Sequence, residues 1–175
     1  MPEAPDEREM KLMPPMAYFI TFRTYGTWLQ GDDRGSVTRK RNTPGTPLHD
    51  GDGRWRYQMK VALQHAPTVL DDRSRFIVRK TILDACSYRK WLLHEINVRS
   101  NHVHIVVSAD AAPERVMNDF KAYATRRLRE ADAVPPDCRL WSRHGSTRYL
   151  WDERAVARAC AYVRDGQSSD VLGED

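Results

Sequence analysis

His102 and His104, in the stretch NVRSNHVHIVVSAD (97–110), are the residues whose type and spacing first suggest chemistry. The run around them is rich in β-branched residues, and on a strand residues two apart project to the same face. The two imidazoles therefore point the same way, with Val106 next in their row. Val103, Ile105 and Val107 line the opposite face and require an apolar partner. Two rings this close repel when both are protonated, whereas a divalent cation makes them a favourable pair of neutral ligands. A structural zinc is not expected: Cys86, Cys138 and Cys160 are widely spaced, with no C-x-x-C knuckle, and read as reduced, buried thiols. A harder metal, completed by an oxygen ligand and a substrate phosphate, suits two histidines better.

Tyr162 is the second residue of interest. The segment ERAVARACAYVRDG (153–166) carries Val156, Ala159, Cys160 and Val163 at helical spacing. Tyr162 falls one position off that stripe, so its ring is expected at the margin of the buried face. A phenol attacks a phosphodiester only if it loses its proton and the phosphate is polarised. His102, His104 and Tyr162 thus make chemical sense as one unit. A third protein ligand for the metal is expected just beyond the tyrosine, with Asp165 and Gln167 as candidates.

Basic and aromatic residues suggest a polyanionic partner. Lys121, Arg126 and Arg127 in KAYATRRLRE, and Arg143 and Arg148 in WSRHGSTRYLW, are candidates for phosphate contacts, for which the guanidinium fork is suited. Trp28, Trp141 and Trp151 lie beside polar or basic turns, where unpaired bases could stack. The whole chain has a net charge of +4 and a pI of about 9.1, compatible with such a partner.

These residues need a scaffold. A chain of 175 residues with 41% hydrophobic and 30% charged content reads as one ordinary globular domain. No run of about 18 apolar residues is present, so no membrane span is expected, and the acidic, proline-bearing start lacks an apolar signal core. With the reduced cysteines, this points to the cytoplasm.

Residues 1–15 read as a flexible leader, 16–168 as a single domain and 169–175 as a tail. MAYFITFRTYGTWL (16–29) reads as a strand, and 30–54 as a long polar loop in which Arg34, Arg39, Lys40 and Arg41 make a candidate clamp. A turn or two of helix precedes Pro67. A longer helix runs from Asp72 to Trp91, capped by Asp71, Asp72 or Ser74, with Val78, Ile82, Ala85 and Cys86 facing inward. LLHEINVRS and HVHIVVSA form a hairpin. A helix opening at Pro113 buries Val116, Phe120, Tyr123 or Ala124, and Leu128. LWSRHGSTRYLW (140–151) reads as a strand, a turn and a second short strand or arm, and Asp152 caps the last helix. The order β, loop, α, β, β, α, β, α predicts an α+β, ferredoxin-like sandwich: an antiparallel sheet with helices packed on one face.

The ordered combination NVRSNHVHIVV, KAYATRRLRE, LWSRHGSTRYLW and ACAYVRDGQ resembles the single-tyrosine HUH transposases, in particular the REP-associated tyrosine transposases (RAYT) and their insertion-sequence relatives. AYFITFRTYGTWLQGDDRG resembles the opening strand and loop of one branch. The resemblance implies a metal-dependent (Mg2+ or Mn2+) endonuclease and strand transferase acting on single-stranded, hairpin-bearing DNA. It implies Tyr162 as the nucleophile, linked to a 5′ phosphate while a 3′ hydroxyl is freed, and His102 and His104 as metal ligands. Some members place a third ligand, glutamine, four residues after the tyrosine; here that position is Gly166 and Gln167 follows it. Members act as monomers or as homodimers. A catalytically inactive, domesticated DNA-binding protein of the same fold is the alternative, and a hydrolase of small phosphates a more distant one.

Overall fold

The computed structural model describes residues 14–27 and 53–165, with the side chains of Trp55 and Arg56 excepted. The elements in chain order are β1 (Ala17–Thr24), α1 (Gly53–Val61), α2 (Asp72–Arg89), β2 (Leu92–Val98), β3 (His102–Ser108), α3 (Pro113–Glu130), β4 (Trp141–Leu150) and α4 (Glu153–Asp165). The four strands form one antiparallel sheet in the order β2-β3-β1-β4. This is an α+β, ferredoxin-like arrangement, as expected. Residues 1–13 of the leader, most of the loop at 30–54, Trp28 and the tail lie outside the described residues.

Local chemistry accounts for the helices. The carboxylate of Asp71 accepts the Ser74 amide at 2.7 Å and caps α2, and hydrogen bonding from the Ser74 side chain, then from that amide, holds its pKa below the usual carboxylate value. α2 ends on Lys90 in the left-handed region, with φ of 59°. Pro113 opens α3, where its missing amide hydrogen costs nothing. Asp152 accepts the Ala155 amide at 2.7 Å and caps α4.

The predicted inner faces are the observed ones for α2 and α3. Val78, Ile82, Ala85 and Cys86 meet Val116, Phe120, Ala124 and Leu128 over Ile20, Phe22, Val103, Ile105 and Val107 of the sheet. α4 differs in placement: it covers the other face, where Ala159 and Val163 pack with Ala17, Val106 and Leu150. The sheet therefore has two helices on one face and one on the other. The reason lies in β3, whose opposite row contains buried Val106 beside the histidines and needs its own apolar cover.

Two strands depart from expectation. β1 stops at Thr24 rather than Leu29, because Tyr25 and Gly26 turn the chain, Gly26 with φ of 73°. β4 is one continuous ten-residue strand and not two pieces around a turn. Gly145, which suggested the turn, serves close approach instead. It pairs with Phe22, and a Cβ there would lie 2.5 Å from the Thr21 carbonyl oxygen.

Candidate functional site

β3 puts His102 and His104 on the face that α4 partly covers. The rings stand 4.7 Å apart between centroids at 72°. Thr21 on β1 and Asn97 on β2 flank His104 as register partners, and Arg23 flanks His102. The site is thus a row of polar side chains across the middle of the sheet.

Each imidazole is oriented through Nδ1. The Thr21 hydroxyl lies 2.7 Å from Nδ1 of His104, and the Asn101 Oδ1 lies 2.6 Å from Nδ1 of His102. A carbonyl oxygen only accepts, so Asn101 favours the His102 tautomer with its proton on Nδ1. A hydroxyl donates or accepts, so Thr21 orients the His104 ring without choosing its tautomer. Asn101 is itself held: its backbone carbonyl accepts from the amide and hydroxyl of Thr24 at 2.9 and 3.2 Å.

His104 is buried, with 7% of its surface exposed. Burial first, then the His102 ring, then Arg23 and Arg99, push its pKa down to about 3. The ring is neutral at physiological pH, as a metal ligand must be.

α4 brings Tyr162 over this row. Its ring centroid lies 5.9 Å from that of His104, at 79°, and Phe19 meets both: stacked on His104 at 5.6 Å and edge-on to Tyr162 at 5.9 Å. The three residues singled out from sequence therefore converge within one chain.

Two imidazoles on one face, each with Nδ1 engaged, fit a divalent cation taken by Nε2. Among the described residues no third His, Cys, Asp or Glu joins them in a group able to hold a metal. Of the two candidates for a third ligand, Asp165 ends the described part of α4 and is not grouped with the histidines, and Gln167 lies outside the described residues.

The expected DNA contacts are sorted by the fold. Arg148 pairs with Phe19, so it shares the histidine face, and it is exposed. Arg126 and Arg143 are exposed, and Arg127 is exposed and paired with Glu130 at 3.0 Å. Lys121 and Trp141 correct the expectation. Lys121 is only 8% exposed; its ammonium donates to the carbonyls of Ser142 and His144 and lies over the Phe22 ring. Its burial lowers its pKa to about 8. Trp141 is buried edge-on to Phe22, its indole N–H shared between the Lys121 carbonyl and the Thr125 hydroxyl. Both residues tie α3 to β4. Trp151 remains partly exposed and stacks on Tyr149 at 5.8 Å.

Sequence reading missed Thr21, Asn101, Phe19, Arg23 and Arg99. Thr21 and Phe19 had one available signal: in AYFITFRT they alternate with Tyr18, Ile20 and Phe22, and so share a face with each other.

The site is thus a histidine pair on a four-stranded sheet, with a tyrosine-bearing helix above it. The family model described as "Transposase IS200 like" matches residues 55–160, more than half of the chain, and the chain belongs to that family. Two solved structures are similar to it. One is a REP-associated tyrosine transposase bound to a REP hairpin, at 11% identity over 93% of this chain and 70% of that one, with a TM-score of 0.47. The other is a candidate transposase of Deinococcus radiodurans R1, at 12% identity over 97% of this chain and 100% of that one, with a TM-score of 0.48. No curated protein matches. Among the described residues no helix is long and apolar enough to cross a membrane.

Proposed function

We propose that this chain cuts and rejoins single-stranded, hairpin-bearing DNA through a covalent 5′-phosphotyrosine intermediate. The observation that supports this reading is the convergence of Tyr162, His102 and His104 on one sheet face of a chain that belongs to a transposase family.

Tyr162 is the nucleophile. Its phenol oxygen forms a bond to phosphorus as the bond from phosphorus to the 3′ oxygen breaks. The phenol gives up a proton and the departing 3′ oxygen takes one, so the exchange is balanced, and the reverse attack by a 3′ hydroxyl rejoins a strand. His102 and His104, with Gln167, would hold Mg2+ or Mn2+, which when bound supplies charge to polarise the scissile phosphate. Thr21 and Asn101 hold the two imidazoles in orientation, and Phe19 limits the freedom of both His104 and Tyr162. Arg23 and Arg99 favour the phosphate at this site. Arg148, on the same face, meets the backbone beside the reacting centre, and Arg126, Arg127 and Arg143 meet phosphates farther away.

The test uses a single-stranded hairpin oligonucleotide labelled at its 3′ end, incubated with the chain with and without Mn2+. A labelled, denaturant-resistant protein band is expected only with the metal, together with an upstream fragment ending in a 3′ hydroxyl. The band is expected to vanish in Tyr162→Phe; its persistence there would sink Tyr162 as nucleophile. Hairpin binding in EDTA, with no cleavage in Mn2+ or Mg2+, would favour the inactive DNA-binding alternative.

A further inference from the structure

The edge strand β2 does not run regularly. Leu93 pairs with Val107 and Glu95 with Val106, so His94 is an extra residue in the ladder. In a regular strand, Leu93 on the main-core side would put Glu95 and Asn97 on that side as well. The extra residue reverses the parity. Glu95 now lies beside Val106 and Asn97 beside His104, both on the α4 face, while Ile96 lies beside Ile105 in the main core. Bulges re-aim side chains in this way, and they concentrate next to active sites.

Both redirected side chains meet the last turn of α4. Asn97 Nδ2 donates to the Val163 carbonyl at 3.0 Å. One carboxylate oxygen of Glu95 accepts from Nε and Nη2 of Arg164 at 3.1 and 3.0 Å. The residues gripped, 163 and 164, directly follow Tyr162. The carbonyl bond sets the height of the helix end above the sheet, and the guanidinium contact resists its rotation.

We propose that Glu95 and Asn97, brought to this face by the bulge at His94, are positioning residues that hold Tyr162 over His104. The kinetic part of this inference rests on Tyr162 being the nucleophile; the structural part does not. An ion pair this exposed adds little stability, so its value lies in geometry. A displacement of about 1 Å at a reacting group costs up to ~100-fold in rate.

The test compares the full chain with Asn97→Ala, Glu95→Arg, and the charge-exchanged double variant Glu95→Arg/Arg164→Glu. Hydrogen exchange of the metal-free protein reads the docking of α4 directly. In Asn97→Ala, exchange in the last turn of α4 is expected to quicken about fivefold while α2 and α3 are unchanged. Affinity for the labelled hairpin in EDTA is expected to stay within about twofold, while the single-turnover rate of adduct formation at saturating DNA falls roughly 10- to 100-fold. Glu95→Arg should lose rate in the same way, and the double variant should recover most of it. Unchanged exchange in α4, a loss of rate matched by an equal loss of affinity, or a double variant no better than Glu95→Arg would each overturn the proposal. If the unaltered chain forms no adduct, the nucleophile assignment fails and the exchange measurement alone decides whether the clamp exists.

Discussion

On one face of the sheet, Ile20, Phe22, Val103, Ile105 and Val107 meet two long helices, and nearly every side chain in the layer is apolar and fully buried. On the other, Ala17, Val106 and Leu150 meet a single shorter helix, and the middle of the face is a polar row of Asn97, His104 and Thr21. The first face is packed by area, with hydrophobic burial as its driving force. The second is organised by particular hydrogen bonds, and its apolar cluster is small. A sheet can carry a costly polar site when its other face supplies most of the stability. The helix bearing Tyr162 is therefore held to the sheet by specific contacts as much as by burial.

Mutations should separate the two faces. Phe120→Ala, which empties the centre of the main core, is expected to lower the unfolding free energy by about 3–5 kcal/mol in urea titrations. A loss no larger than that of a surface substitution would break the comparison.

Acid should act through the polar face. His104 has a folded pKa of about 3 against the ordinary 6.5. Between those values the unfolded chain binds a proton that the folded chain does not, so stability is complete above 6.5 and declines as the pH falls towards 3. From neutrality to about pH 4.5 the loss for metal-free protein is expected to be roughly 2–3 kcal/mol. In His104→Asn that part of the decline should be missing, and an identical profile in both proteins would contradict it.

Gly145→Ala probes the seam between β1 and β4, where an added methyl meets the Thr21 backbone and the Met117 sulfur. It is expected to destabilise by about 1–3 kcal/mol. An unchanged melting curve would return Gly145 to the role of a turn residue.

The main-core face was largely legible in the sequence, because its signals are local and periodic. Val78, Ile82, Ala85 and Cys86, like Val116, Phe120 and Leu128, sit where helical spacing places them. The shared face of His102 and His104 followed from strand alternation in the same way. What was not legible depends on partners. Gly145 carries the same local signal whether it turns the chain or lets two strands approach, and only its pairing with Phe22 distinguishes them. Lys121 looked like a phosphate ligand in a basic run, but its long apolar stem spans α3 to β4 and delivers the ammonium to backbone carbonyls. The extra residue at His94 is invisible in LLHEINV, since a bulge is a property of two strands. For that reason Asn97 and Glu95 carry no recognisable mark until the sheet is assembled.

The most direct test of the central claim is to digest the covalent DNA complex formed in Mn2+ and locate the nucleotide-bearing residue by mass spectrometry. The account predicts a single modified peptide, carrying its 5′-phosphate linkage on Tyr162. A linkage on Tyr149 or on any other residue, from a chain that cleaves the hairpin, would contradict it.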